Sequence, residues 1–369
     1  MKRIKFIASD PHQHAFATAL RKNVQDYFKS NNISTKGDAR MFFKTFVMLT
    51  LYVTPFILLL TVQMSSLFAV LLLIVMGIGM AGVGMSVMHD AIHGSYSPHK
   101  WINNLAGGSI YLIGSSPSTW AIQHNILHHT YTNITGYDED IETKGFIRLS
   151  KNTPWKKYQR FQQYYAFLFY GFMTIAKLIG DMPQLFKYNR NGLTGEQNDK
   201  PVREVIRMII SKSVYLVIIL GLPLWLTDFS WGQVLLGFLI MHMVGGMIMS
   251  TIFQMAHVVE GTAQPLPDDQ GIIHNEWMVH QLNTTSDFAR NNWLLNWYVG
   301  GLNYQIEHHL FSNICHVHYP ALAPIVERTA REYGVNYNLK PSFTKALKSH
   351  LHALARLGKQ PMPIHSAVL

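Results

Sequence analysis

The fold is decided by residues 45–88, which read TFVMLTLYVTPFILLLTVQMSSLFAVLLLIVMGIGMAGVGMSVM. This stretch contains no Asp, Glu, Lys or Arg. As a helix it would extend for about 66 Å at 1.5 Å per residue, roughly twice the thickness of the hydrocarbon core of a bilayer. The polar segment Gln63-Met64-Ser65-Ser66 offers a turn near its middle. The sequence therefore predicts two membrane-spanning helices, near residues 45–62 and 67–88.

A second apolar block extends from Ile209 to Ala256 and is interrupted by Thr227-Asp228-Phe229-Ser230. It predicts two further spans, near residues 209–226 and 233–256. Charged residues make up only 14% of the chain, well below the quarter or so that is typical of soluble domains. The sequence thus predicts an all-α integral membrane protein with four transmembrane helices in two hairpins.

The distribution of basic residues predicts how the four spans are oriented. The two short hairpins contain no Lys or Arg, whereas residues 2–44 and 148–207 are rich in both. The positive-inside rule then places both chain ends and the central segment in the cytoplasm. Lys212, one turn inside the third span, is expected to extend its ammonium group to this interface. The net charge of +10 fits this bias and attraction to anionic lipid, and the sequence shows no nucleic-acid-binding motif.

Eight histidines lie at the predicted cytoplasmic ends of spans or in the cytoplasmic segments. They are His89, His93, His124, His128, His129, His257, His308 and His309. Residues three or four apart share one face of a helix, so such pairs can direct two imidazoles at one metal ion. An even number of crossings separates the groups, which allows all of them to meet on one side of the membrane. Imidazole suits Zn, Cu, Fe and Ni, and eight ligands exceed what one ion can use, so the sequence predicts two metal ions.

Other polar residues near these motifs are candidates for weaker roles. A further metal ligand, or a hydrogen-bond partner of a ligand, is expected among Gln305, Asp90, Asn133 and His280. Metal-bound imidazoles usually need a partner on the other ring nitrogen, and Asp138, Asp140 and Glu307 are also candidates for that role. His242 lies about 22 Å from His257 along the fourth span, so it is predicted to be a buried, hydrogen-bonded residue outside the site.

The motifs resemble the three histidine boxes of the membrane fatty acid desaturases. The matching segments are His89-Asp-Ala-Ile-His93-Gly94, His124-Asn-Ile-Leu-His128-His129 and Gln305-Ile-Glu-His308-His309. The Gln that opens the third box resembles the front-end branch, which includes delta-6 and linoleoyl-CoA desaturase-like enzymes. Phe253-Gln-Met-Ala-His257 is similar to the segment that supplies the additional histidine ligand of the family. The resemblance implies a helical cytosolic cap that holds a di-iron site.

The sequence is also expected to divide into three parts. Residues 1–44 are expected to form a cytosolic N-terminal lead-in, residues 45–320 the membrane desaturase domain, and residues 321–369 a cytosolic C-terminal tail. Residues 105–114 are expected to be re-entrant or to lie flat at the membrane interface. Residues 158–185 are expected to form an interfacial amphipathic helix, with a further pair of crossings as the alternative. The active site would face the cytoplasm, from the plasma or inner membrane of a bacterium or from the endoplasmic reticulum of a eukaryote.

The implied function is an O2-dependent desaturase that inserts a cis double bond into a fatty acyl chain carried by CoA or by a lipid. Its cofactor would be two iron ions, because no side-chain acid or base removes hydrogen from an unactivated methylene group. The sequence contains no His-Pro-Gly-Gly heme motif, no dinucleotide-binding fingerprint and only one cysteine, Cys315. We therefore expect a separate electron carrier of the ferredoxin or cytochrome b5 type, together with its reductase.

Two alternatives stay open at this point. A related di-iron membrane hydroxylase or ketolase, acting on a lipid, an alkane or a carotenoid, would share the metal site and the topology. A non-catalytic membrane metal-binding or transport protein would instead need polar groups inside its spans, and residues 45–88 contain no charged side chain. The basic residues Lys151, Lys156, Lys157 and Arg160 form a cluster that would suit either an acidic electron carrier or anionic lipid.

Overall fold

The computed structural model describes residues 3–143, 145–194 and 201–359. These residues are mostly helical. The helices are α1 (Pro11–Ser30), α2 (Ala39–Thr61), α3 (Ser66–Ile92), α4 (Lys100–Gly107), α5 (residues 117–131), α6 (Gln162–Gly171), α7 (Met173–Arg190), α8 (Pro201–Leu226), α9 (Trp231–His257), α10 (Trp277–Thr284), α11 (Trp293–Tyr298), α12 (Gln305–Leu310), α13 (Tyr319–Glu332) and α14 (Phe343–Lys359). Short 3-10 segments cover Gly108–Ile113, Glu139–Ile141, Lys157–Phe161 and His316–His318. The strands are β1 (Lys5–Phe6), β2 (Ile272–Ile273), β3 (Asp287–Phe288) and β4 (Leu339–Lys340).

The helices α2, α3, α8 and α9 are long and apolar enough to cross a membrane. The four predicted spans are therefore confirmed, although the helices extend beyond the predicted limits. Helix α2 begins at Ala39, where the side chain of Asp38 accepts a hydrogen bond from the backbone N–H of Arg40. Such a cap satisfies an amide that has no partner within the helix. Helix α9 continues to His257, which carries that histidine to the end of the span.

Glycines allow the central helix α3 to approach α2 on one side and α9 on the other. A Cβ atom on Gly79 would lie 2.5 Å from the backbone nitrogen of Tyr52 in α2, and one on Gly77 would lie 2.6 Å from Cβ of Val244 in α9. Any larger residue would push these helices apart. This close contact is the usual way in which spanning helices associate, because lipid provides no hydrophobic driving force between them.

The ammonium group of Lys212 is held by protein partners in α7 and in the loop that precedes α5. Its Nζ atom lies 3.1 Å from Oδ2 of Asp181 and donates to the backbone oxygens of Gly114 at 3.0 Å and Leu178 at 2.7 Å. Asp181, in α7, is itself fully buried and also accepts a hydrogen bond from Ser115. The buried carboxylate pairs with the ammonium group, which fixes α8 against α7 and the loop that precedes α5.

Several shorter helices also carry exposed apolar side chains. Residues 158–185 form the end of a 3-10 segment, α6 and most of α7, and Tyr164 in α6 is 80% exposed. In α4, Trp101 is 67% exposed, and in α11, which was not predicted, Trp293 is 76% exposed. Trp and Tyr are enriched at membrane interfaces, and the interfacial position of residues 105–114 and 158–185 stays a prediction.

The remaining elements form a cap over the ends of α3 and α9 that carry His89 and His257. Helices α1, α10, α12 and α13 share one apolar core. Two small parallel sheets join distant segments, with Lys5 opposite Ile272 and Asp287 opposite Leu339. Helix α14 packs against α6 through a core that includes Leu354. Residues 321–359 are thus packed into the cap, while residues 360–369 of the predicted C-terminal tail lie outside the described residues.

Candidate metal centre

Wide helical turns carry the first two histidine boxes. Residues Val83–Met88 form π-helix at the end of α3, directly before His89, and Ile122–His128 form π-helix in the middle of α5. A π-helical turn inserts an extra residue and is frequently found at functional sites. The rings of His89 and His93 are 4.8 Å apart, and those of His124 and His128 are 5.2 Å apart. Each box therefore presents its imidazoles on one side of its helix.

The eight predicted histidines come together in one cluster. Two sets have their candidate ligand atoms within 4.8 Å of one another. The first set is His89, His93, His124 and His308, and the second is His128, His257 and His309. His129 lies between the two sets, with its ring 4.6 Å from that of His308 and 4.4 Å from that of His309. All eight side chains are buried except His93, which is partly exposed.

Within the cluster, the Nε2 atoms of neighbouring rings approach each other closely. The Nε2 atom of His124 is 3.2 Å from that of His89 and 3.2 Å from that of His129. In the second set, the Nε2 atoms of His128 and His309 are also 3.2 Å apart. Nitrogens at this separation can both reach one metal ion at roughly 2 Å.

Hydrogen bonds on the outer ring nitrogens determine which nitrogen faces the centre. In His128, Nδ1 lies 3.1 Å from both carboxylate oxygens of Asp138. In His309, Nδ1 donates to Oε1 of Gln281 at 2.8 Å, and Nε2 of that glutamine donates to the backbone oxygen of His129. With Nδ1 as the donor in both rings, two neutral imidazoles would bring their Nε2 lone pairs together. A positive ion or a proton between the two Nε2 atoms would remove this repulsion.

The electrostatic environment favours neutral rings at most positions. Burial, together with the neighbouring imidazoles, lowers the pKa of His124, His129, His308 and His309 well below the ordinary value. For His128, burial lowers the pKa but the Asp138 carboxylate raises it further, so the net shift is upward. Neutral imidazole is the form that binds metals. A carboxylate at Nδ1 favours positive charge at Nε2 of the same ring, either from a proton or from a metal ion.

Several ring nitrogens have no hydrogen-bond partner although they are buried. They are Nδ1 of His89, Nε2 of His93, Nδ1 of His129, both ring nitrogens of His257, and Nε2 of His308. Buried polar atoms in proteins are nearly always paired, and an exception needs an explanation such as a bound ion. The unpaired nitrogens, the facing lone pairs and the neutral rings together fit a centre for metal ions.

A buried polar chain lies behind His89. Oδ1 of Asp90 is 3.6 Å from Nδ1 of His89, and Oδ2 accepts hydrogen bonds from Nδ1 of His316 at 2.8 Å and from the thiol of Cys315 at 3.2 Å. On the far side, Nε2 of His316 is 2.5 Å from Nζ of Lys44. Burial raises the pKa of the Cys315 thiol well above its usual value, which keeps it protonated and unreactive.

The other predicted candidates take different places. Asn133 adopts a left-handed backbone conformation with φ of 60°, and its Nδ2 donates to the backbone oxygen of His257 at 2.9 Å. His280 binds the backbone oxygen of Thr132 through Nε2 at 3.0 Å. Both therefore hold backbone segments next to the cluster. Gln305 is buried one turn before His308 and His309, and its Oε1 atom has no partner.

Glu307 points away from the cluster into a buried acidic group. The hydroxyl of Tyr337 donates to Oδ2 of Asp287 at 2.6 Å and lies 2.9 Å from Oε1 of Glu307. Burial, then repulsion from Asp287, raises the pKa of Glu307 well above its usual value. Sequence reasoning missed Asp287, Tyr337 and Gln281, because they lie in other elements of the cap and belong to no motif. The prediction for His242 is confirmed: it is buried and bonds to Tyr215 and Thr174.

A comparison with known families shows which family the chain belongs to. The sequence profile of the family described as Fatty acid desaturase matches residues 64–341. The protein belongs to the fatty acid desaturase family. The predicted resemblance is thus confirmed, and the protein is a membrane desaturase, an oxidoreductase of lipid metabolism.

Curated relatives agree with this assignment. The desaturase is 34% identical to an sn-1 linoleoyl-lipid 6-desaturase of Arthrospira platensis, with 94% of this chain and 93% of the relative covered. It is 35% identical to a protein of the same name from Synechocystis sp., over 97% of this chain and 98% of the relative. It is 32% identical to an acyl-lipid (8-3)-desaturase of Physcomitrium patens, over 95% of this chain and 73% of the relative. These relatives are consistent with the predicted front-end branch.

Proposed function

We propose that this desaturase is O2-dependent and holds two iron ions in its histidine cluster, where it inserts a cis double bond into the acyl chain of a membrane lipid. The observation that carries the proposal is the pair of buried histidine sets with facing and unpaired nitrogens. When bound, the iron ions would supply the oxidising chemistry that removes two hydrogens from unactivated methylene groups while O2 is reduced to water.

The proposed ligands divide between the two ions. His89, His93, His124 and His308 would hold one ion, and His128, His257 and His309 the other. His129 lies between the two sets and completes the proposed ligand set of eight. Gln305, with its unpaired Oε1 atom, is proposed as a further ligand or as a partner of one.

Residues around the ligands would orient the rings and keep water out. Asp138 and Gln281 fix the rings of His128 and His309 through Nδ1. Apolar and aromatic side chains cover the remaining faces, with the ring of Trp120 4.4 Å from that of His124 and the ring of Phe253 4.9 Å from that of His128. Fixed ligands in a dry site determine which methylene group is oxidised, because the reaction occurs only where the acyl chain meets the metals.

The substrate carrier is proposed from the relatives. Two of them are named linoleoyl-lipid 6-desaturases and a third an acyl-lipid desaturase. We therefore assign this enzyme an acyl chain esterified to a membrane lipid rather than to CoA, and a double bond introduced near the carboxyl end. The multi-pass arrangement with the cap on the cytoplasmic side follows from the excess of Lys and Arg outside the hairpins. Electrons would come from a ferredoxin or a cytochrome b5.

The test is expression in a host that makes linoleoyl lipids but no more highly unsaturated ones. Gas chromatography with mass spectrometry should show a new double bond on the carboxyl side of the existing ones, and purified protein reconstituted with iron should contain two ions per chain. His309→Ala should abolish both the product and half or more of the iron. A hydroxylated or oxo lipid as the main product would favour the hydroxylase alternative, and one metal ion or none would contradict the two-iron site.

A further inference from the structure

Two groups of basic residues that are distant in the sequence form one surface of the cap. Residues 143–180 and 333–369 contain no Asp or Glu. Exposed cations from both segments make up what we call the basic face: Lys151, Lys156, Lys157, Arg160, Lys345, Lys348, Arg356 and Lys359. On α14 successive cations are three, eight and three residues apart. At 3.6 residues per turn, these spacings place all four on one side of the helix, its outer side. Its opposite side, which includes Leu354, is buried against α6.

Hydrogen bonds hold the two groups together. The indole N–H of Trp155 donates to the backbone oxygen of Gly358, and Nη1 of Arg148 donates to the backbone oxygen of Leu357 at 2.8 Å. A side chain on Gly358 would collide with the backbone of Gln159. The end of α14 is therefore fixed against the segment that carries Lys156, Lys157 and Arg160, and the basic face is a single rigid surface.

The basic face borders residues 258–265, the segment that directly follows the proposed ligand His257. A groove of about 370 Å³ lies between α14 and residues 258–265, with Lys151 and Arg356 among its lining residues. Val258 and Thr262 also line it, and the hydroxyl of Thr262 donates to the backbone oxygen of His257 at 2.8 Å. A molecule bound in this groove would contact Val258, the residue next to His257 in the chain.

We propose that the basic face is the docking surface for an acidic one-electron carrier protein, which reduces the metal centre through the segment that begins at His257. The proposal rests on the proposed function, since that reaction needs two electrons beyond those of the substrate. In each transfer the carrier loses one electron and the metal centre gains it. Charge complementarity would both steer the carrier and set its orientation.

On the α14 part of the basic face, the observations favour a protein partner over a lipid surface. A helix that lies in a membrane interface uses its apolar side for lipid contact. In α14 that side is buried in the cap, and none of its described residues is a large exposed apolar side chain. The buried Ser349 and the exposed His352 contact Glu260, which follows the end of the spanning helix α9 and is the acidic residue nearest to the α14 cations among these contacts.

The test compares Lys348→Glu/Arg356→Glu with wild-type protein in nanodiscs of phosphatidylcholine alone. A plant-type [2Fe–2S] ferredoxin and a soluble cytochrome b5 domain serve as probes. Carrier binding is measured without turnover by biolayer interferometry. For the carrier that supports turnover, we expect the affinity of Lys348→Glu/Arg356→Glu to be roughly tenfold or more weaker than that of wild type. The salt dependence of its binding should also be shallower. The rate of double-bond formation driven by that carrier should fall by a similar factor.

Two controls separate the possible outcomes. Lys22→Glu/Lys29→Glu reverses two exposed charges on α1 and should change neither binding nor rate. Turnover driven by dithionite with a small mediator bypasses the carrier and should be equal in all variants. If wild-type protein forms no product with either reductant, the proposed function has failed. If it forms product and Lys348→Glu/Arg356→Glu binds and reacts with the carrier as wild type does, the docking surface is wrong. A defect that appears only in discs containing phosphatidylglycerol would assign the basic face to lipid and also overturn the proposal.

Discussion

The substitution Asp138→Asn keeps the size of a fully buried side chain and removes its charge. The carboxylate accepts hydrogen bonds from Nδ1 of His128 and from the backbone N–H groups of Asn133 at 2.8 Å and Asp140 at 3.0 Å. Asparagine offers one oxygen, so its own NH2 group would face at least one of these donors. An unsatisfied buried donor costs about 1–3 kcal/mol. We expect the free energy of unfolding of the metal-free protein to fall by this amount.

The same substitution should weaken metal binding separately from stability. Loss of the outer hydrogen-bond partner of a ligating imidazole typically lowers metal affinity about 10–100-fold, or roughly 1.4–2.7 kcal/mol. Iron content after equilibration with graded concentrations of a chelator measures this change on protein that is verified to be folded. Asp26→Asn, at an exposed position paired with Lys22, is the matched control and should bind iron as wild type does. Wild-type iron affinity in folded Asp138→Asn would refute the role of Asp138 in holding His128.

Three further predictions concern other parts of the molecule. His309→Ala should remove iron and turnover. His242→Ala should keep its iron and lower only the thermal midpoint, because His242 lies about 22 Å from the end of its span. Equal iron loss in both variants would contradict the ligand set. Asp181→Leu leaves the ammonium group of Lys212 buried without its carboxylate and should cost about 3–5 kcal/mol in detergent unfolding, and Lys212→Met added to it should restore much of this loss. Burial lowers the pKa of His350 to about 4, whereas a histidine in an unfolded chain has a pKa of about 6.5. The free energy of unfolding should therefore fall by up to roughly 3 kcal/mol as the pH drops from about 6.5 to 4. Unfolding curves of His350→Gln at several pH values should show a flatter dependence.

The spans and the histidine cluster could be predicted because their signals are local in the sequence. An uncharged run such as residues 45–88 has few alternatives to two membrane helices, since the bilayer fixes both the length and the polarity of a span. Pairs such as His89 and His93 share a helix face whatever the rest of the fold does. Topology then places the groups on one side of the membrane, and the structure brings the eight rings together.

The partners of these residues could not be predicted in the same way. Gln281 binds Nδ1 of His309 from a different helix of the cap, and no spacing rule connects the two. The partner of Lys212 could not be predicted for the same reason, because Asp181 lies in the separate helix α7. Hydrogen-bond and ion-pair partners depend on tertiary packing, and a single sequence gives little information about that packing.

The arrangement also explains why the proposed centre lies at the ends of the spans. The imidazoles come from α3, α5, α9 and α12, and their outer nitrogens bind partners in other parts of the cap, such as Asp138 and Gln281. Between the spans, contacts such as that of Gly77 with Val244 are apolar, and the histidine within a span, His242, has both ring nitrogens bonded to protein hydroxyls. An imidazole needs a polar partner on one nitrogen to direct the other at a metal. The cap can provide such partners in a dry interior, while the adjoining spans keep the site next to the acyl chains of the membrane.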